Sequence, residues 1–121
     1  VINDDAGLAR RVGADGLHLP ARRLAELATR PDFEWVGASC HERPELEKAA
    51  ALGLDYALLG AVRPTLSHPE REALGWARFG ERIDRLPLPV LALGGLSAGD
   101  MTTARAAGAH GIAAIRSVWQ A

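Results

Sequence analysis

Cysteine is nearly absent. The 121 residues hold a single one, Cys40, so no internal disulfide can form, and a reducing, cytoplasmic setting is the default expectation. Net charge is nearly absent too. Fourteen Lys and Arg stand against fifteen Asp and Glu, so no strong field draws the chain to nucleic acid or to an anionic membrane. No apolar run is long enough to cross a bilayer as a helix. What remains is a 48% apolar chain of a length that suits one globular domain with a real core. It begins Val1-Ile2-Asn3-Asp4, without Met. This reads as the end of a strand, and the expectation is that the start of the domain lies upstream.

Short apolar runs alternate with longer segments of helical pattern. Candidate strands are Gly16–Leu19, Trp35–Ser39, Tyr56–Leu59, Val90–Leu93 and Gly111–Ile115, with Val1-Ile2 as the tail of another. The runs are apolar throughout rather than alternating, as parallel strands buried on both faces should be. Candidate helices are Ala6–Val12, Ala21–Thr29, Pro44–Leu52, Trp76–Arg85 and Ser97–Ala107, with a last one from near Ser117. Pro44 suits a first turn. Ser97 and Asp100 make a variant of the capping box. One pattern recurs: Gly13-Ala14-Asp15-Gly16, Gly53-Leu54-Asp55-Tyr56 and Gly108-Ala109-His110-Gly111. Each first glycine fits the left-handed position that ends a helix before the chain returns to a strand. Alternating β and α predicts a parallel sheet, either open and doubly wound or closed into a barrel. In either case ligands gather at the C-terminal ends of the strands.

The residues after each strand are therefore the candidates. Asn3, Asp4 and Asp5 follow the first, where carboxylates could hold Mg²⁺ or cap the next helix. His18 lies in the second strand, either as a hydrogen-bonded core residue or as a site residue. Ser39, Cys40 and His41 end the third. Neighbours at a strand end point to opposite faces, which argues against a Cys40–His41 dyad and favours Ser39 as a lining residue. The irregular stretch from Gly60 to Gly75 holds Arg63, Thr65, Ser67 and His68, donors that suit an anion-binding loop. Gly94-Gly95 after the fifth strand and Arg116-Ser117 after the last lead into helices. Backbone N–H groups there suit a phosphate.

The ordered set Ile2-Asn3-Asp4, Gly13 to Leu19, Gly37-Ala38-Ser39-Cys40-His41, Leu59 to Thr65, Leu91 to Gly95 and Gly108 to Ala113 resembles the thiamine phosphate synthase/TenI superfamily along the whole chain. The resemblance implies a TIM (β/α)8 barrel, of which this chain would supply about the third to eighth βα units. It also implies a Mg²⁺-dependent transferase that joins an aminopyrimidine diphosphate to a thiazole phosphate and releases diphosphate. On that resemblance Asn3 and Asp4 face the Mg²⁺-diphosphate. Ser39 and Thr65 line the substrate site. Gly95 with Arg116 and Ser117 holds the thiazole phosphate. His68 stands in the place of the family's loop lysine, and His18, His41 and Arg63 are further substrate-contact candidates.

Two departures stand out. Family synthases follow the second strand with Gly-Gln-Glu-Asp, whose Asp binds the metal, whereas this chain reads Pro20-Ala21-Arg22-Arg23. The histidine of TenI-branch tautomerases would fall at Ala61. The segments Pro64 to Pro69, Leu74-Gly75-Trp76 and Ile115 to Trp119 look most like the variant barrel fused to a Nudix hydrolase domain. The competing expectation is therefore a catalytically divergent barrel that binds a phosphate ester and regulates an attached Nudix domain. An uncovered sheet edge would also favour a homodimer.

Overall fold

The computed structural model describes residues 2, 3, 5–63 and 73–113, with backbone alone at 2 and 3. Strands β1 (Ile2–Asn3), β2 (Gly16–Leu19), β3 (Trp35–Cys40), β4 (Tyr56–Leu59), β5 (Val90–Leu93) and β6 (Gly111–Ala113) alternate with helices. The helices are α1 (Ala6–Arg11), α2 (Ala21–Glu26), α3 (Arg43–Ala51), α4 (Gly75–Ile83) and α5 (Met101–Ala106), the last entered through a 3-10 turn at Ala98–Asp100. The expected βα alternation is present. The Thr65, His68, Arg116 and Ser117 positions, Asp4, and the helix expected near Ser117 lie outside the described residues.

The chain falls into two compact units. The first holds Val1–Ala57 with Leu86–Leu88, and the second holds Leu58–Arg85 with Pro89–Ala121. Strand β4 passes from one to the other, and within each unit the strands lie in chain order. In the first, β1 pairs with β2 and β2 with β3, all parallel, in a register that sets His18 beside Gly37 and Leu19 beside Ala38. In the second, β5 and β6 pair in parallel, Leu91 beside Gly111.

The recurring helix-to-strand pattern is a repeated hydrogen-bond motif. Gly13, Gly53 and Gly108 have φ of 68°, 76° and 102°. Their N–H groups donate to the carbonyls of Arg10, Ala50 and Arg105. The following residues, Ala14, Leu54 and Ala109, donate to Ala9, Ala49 and Ala104. This pair of bonds satisfies the last carbonyls of a helix, and glycine takes the left-handed position without a Cβ penalty. The alanines that accept the second bond are fully buried in all three turns. Alanine there lets the turn close against the core.

In the first unit the return is reinforced by charge. The Arg30 guanidinium donates to the carbonyls of Gly53, Phe33 and Glu34 and to Asp55 Oδ2 at 3.0 Å. Asp55 Oδ2 also accepts from Val36 N at 2.7 Å, so one carboxylate ties the turn before β4 to the start of β3.

Element ends differ from expectation by a few residues. Helix α2 stops at Glu26 rather than Thr29 because Leu27 turns extended, with ψ of 138°. Helix α4 stops at Ile83, and Arg85 lies at φ 58°, outside any right-handed helix. Strand β3 continues one residue further, through Cys40. The Ser97–Asp100 box is present, with Ser97 N donating to Asp100 Oδ2 at 2.9 Å. Pro44 sits in the first turn of α3, where Glu45 Oε1 accepts from His41 N and Glu42 N.

Candidate functional site

Alternation along the strands of the first unit sorts side chains by chemistry. Leu17 and Leu19 of β2, Val36, Ala38 and Cys40 of β3, and Ala57 of β4 are buried core residues. The intervening positions are His18, Gly37, Ser39 and Tyr56, and they meet. His18 Nε2 lies 2.8 Å from Ser39 Oγ, and His18 Nδ1 lies 3.0 Å from Tyr56 Oη. The imidazole and phenol rings stack at 5.7 Å between centroids with 23° between planes. Gly37 makes this possible, because a Cβ there would fall inside the Tyr56 ring.

Burial lowers the His18 pKa, so the ring is neutral near pH 7. Burial, and then the Asp55 charge, raise the Tyr56 pKa and keep the phenol protonated. His18 is thus a half-buried residue, hydrogen-bonded on both ring nitrogens and grouped with Ser39 and Tyr56.

Cys40 points the other way and is buried. Burial, and then the Glu45 carboxylate, push its thiol up to about 12. A thiol in that state is not a nucleophile. His41 is partly exposed, with Nδ1 3.8 Å from Glu45 Oε1.

Asp5 caps α1, its Oδ1 accepting from Leu8 N at 2.8 Å. Among the described residues no three His, Cys, Asp or Glu side chains gather as a metal site. Arg23 lies on the exposed face of α2 with Glu26 at 3.3 Å, the two opposite charges of a solvated i,i+3 ion pair.

In the second unit the strand ends build a glycine turn. Gly94 and Gly95 have φ of 108° and 68°. Val62 N donates to Leu93 O at 2.9 Å and Arg63 N to Gly94 O at 3.1 Å, so the chain after β4 runs alongside the turn after β5. The Arg63 guanidinium reaches Asp100 Oδ1 at 2.7 Å, although the arginine side chain is 49% exposed. Arg63 thus arrives as the partner of a helix-capping carboxylate.

The Ser97 N–H and then the Arg63 charge hold the Asp100 carboxyl below its ordinary value. A carboxylate with a lowered folded pKa adds stability above its unfolded pKa and loses it as pH falls through the folded value. Thermal melting against pH should therefore show an acid limb below about pH 4 that flattens in Asp100→Asn. An unchanged limb would mean that Asp100 does not tie these loops together.

Sequence reasoning passed over Tyr56, Gly37 and Asp100 as site residues. The signals were present: Tyr56 is the only tyrosine, and Gly37 interrupts an apolar strand two residues before Ser39. A glycine inside a strand often marks the close approach of another group.

Known proteins share this sequence and fold. The profile of the TMP-TENI family, thiamine monophosphate synthase, matches residues 1–118. The chain is 38% identical to a thiamine-phosphate synthase of Thioalkalivibrio sulfidiphilus, over 98% of this chain and 58% of that protein. It is 37% identical to a thiamine-phosphate synthase of Chromobacterium violaceum, over 100% of this chain and 60% of that protein. It thus spans about three-fifths of the length of these curated relatives. Among solved structures it is similar to the thiamine phosphate pyrophosphorylase of Pyrococcus furiosus, with a TM-score of 0.76 and 28% identity over 98% of this chain and 58% of that one. With the family profile matched nearly end to end, and parallel strands whose ends carry the polar groups, the chain belongs to the thiamine monophosphate synthase family.

Proposed function

We propose that the chain is part of a thiamine phosphate synthase, a (β/α)8-barrel transferase that joins an aminopyrimidine diphosphate to a thiazole phosphate and releases diphosphate. One observation carries the reading. Ser39, the hydroxyl that the family resemblance assigns to the substrate site, is held at the end of β3 by His18 at 2.8 Å, on the polar face of its strand.

Ser39 offers an uncharged hydroxyl as hydrogen-bond donor to the anionic substrate, and His18 holds it in place. Gly94 and Gly95 bring bare backbone to the thiazole phosphate, with Arg116 and Ser117 completing that contact. Thr65 and His68 act from the loop after β4, and Asn3, His41 and Arg63 are outer substrate contacts. Mg²⁺ is the ion that the resemblance implies, and it would neutralise the diphosphate as it leaves. Asp4 and Asp5 are the carboxylates proposed for it, and a helix cap engages one oxygen of Asp5.

The test is a synthase assay on the full-length protein with the aminopyrimidine diphosphate, the thiazole phosphate and Mg²⁺, read as thiamine phosphate. Turnover is expected, reduced about tenfold or more by Ser39→Ala, the loss of one hydrogen bond to a charged group. A second reading is favoured by Arg23, which occupies the place of the family's metal-binding Asp and pairs with Glu26. It is a divergent phosphate-ester-binding barrel attached to a Nudix hydrolase domain. Absence of turnover, with calorimetric binding of the thiazole phosphate retained, would sink the synthase and leave this account standing.

A further inference from the structure

His18 touches two hydroxyls, and a neutral imidazole can donate to only one of them. The other nitrogen must accept. If Ser39 donates to Nε2, then Nδ1–H points at Tyr56, and Ser39 is paired with a base in the manner of a nucleophile. If Tyr56 donates to Nδ1, the proton sits on Nε2 and points at Ser39 Oγ. The Ser39 O–H is then left to donate elsewhere. The two cases give the same heavy-atom distances and opposite chemistry.

The difference between the hydroxyls decides. A phenol, with an ordinary pKa of about 10, is a stronger donor and a weaker acceptor than an aliphatic hydroxyl. The more favourable pair of bonds therefore has Tyr56 donating and Ser39 accepting. Geometry holds Tyr56 to this task. Its ring fills the space left by Gly37 and stacks on the imidazole, so its Oη stays 3.0 Å from Nδ1. The chain has one tyrosine, and nothing else among the described residues hydrogen-bonds Nδ1.

We infer that Tyr56 is a positioning residue: its hydroxyl donates to His18 Nδ1, fixes the imidazole proton on Nε2, and thereby turns the Ser39 O–H outward as a hydrogen-bond donor to bound anion. The relay runs Tyr56 to His18 to Ser39. Each link satisfies one group and orients the next, and bonds in such a chain strengthen one another. Ser39 is then a donor to charge on the substrate, not an attacking group. This deepens the proposed function and rests on it for the identity of the anion alone.

The tautomer can be read without substrate. Histidine-labelled ¹⁵N NMR of the full-length protein near pH 8 distinguishes a protonated from a bare ring nitrogen, and His18→Gln assigns the signal. The expected result is Nε2 protonated and Nδ1 bare. In Tyr56→Phe the ratio of the Nε2–H to the Nδ1–H form should fall about fivefold, roughly the worth of one net hydrogen bond. In Ser39→Ala the ratio should persist, because Tyr56 still sets it.

A wild-type ring protonated on Nδ1 would overturn the inference. So would a ratio that shifts in Ser39→Ala and not in Tyr56→Phe. Should Tyr56→Phe fail to fold, the wild-type signal and Ser39→Ala decide between the two tautomers by themselves. A failed synthase assay leaves this outcome untouched, so the two readings fail separately.

Discussion

Gly94→Ala is expected to destabilise the second unit by about 3 kcal/mol or more. Two effects add. At φ 108° an L-residue is strained whatever the space around it. The new Cβ would also lie 2.6 Å from both Cα and Cβ of Ala61 and 3.0 Å from Val62 N. These are mostly backbone atoms, and they cannot swing aside as a side-chain tip does. Ala61 cannot retreat cheaply either, since Val62 N and Arg63 N are bonded to Leu93 O and Gly94 O.

Gly53→Ala separates the two effects. Gly53 also has positive φ, but a Cβ there meets nothing within 4 Å. It should lose only about 1 kcal/mol, the cost of the left-handed backbone. Urea unfolding of both variants measures the contrast. Equal losses would show that close approach to Ala61 contributes nothing.

Gly37→Ala is expected to cost about 2–3 kcal/mol and to release His18 from Tyr56. The methyl would occupy the phenol ring's place, so the ring must leave, taking with it the stack and the bond to Nδ1. The remedy identifies the cause. In a Tyr56→Ala background the ring is gone and the same methyl has room. Gly37→Ala should then be nearly neutral, a coupling of about 2 kcal/mol in a double-mutant cycle. Additive losses would mean that Gly37 matters for some reason other than the ring.

Much of this fold is legible in the sequence because its signals are local. The strands at Gly16–Leu19, Tyr56–Leu59 and Val90–Leu93 coincide with their apolar runs to the residue. The three glycine returns are read from adjacent residues and close through adjacent bonds. Helix ends are less legible. Nothing in Ala25-Glu26-Leu27-Ala28 forbids another turn, yet Leu27 takes an extended backbone and the helix ends.

The site divides in the same way. That Ser39 faces the polar side and Cys40 the core follows from strand alternation. That His18 bridges Ser39 and Tyr56 does not, since the three lie on separate strands and only the register brings them together. Arg63 reads as a free cation in sequence, and its partner Asp100 lies 37 positions away.

Ser39 and Cys40 are neighbours in sequence, yet they live in different solvents. The hydroxyl stands on the polar side, while the thiol is 1% exposed and held protonated up to about pH 12. A soluble disulfide reagent can therefore react with Cys40 only in the moments when the first unit opens. The lone thiol is a built-in clock for that opening: its labelling rate reports how often the core breathes, and it stays silent about events at the hydroxyl one residue away.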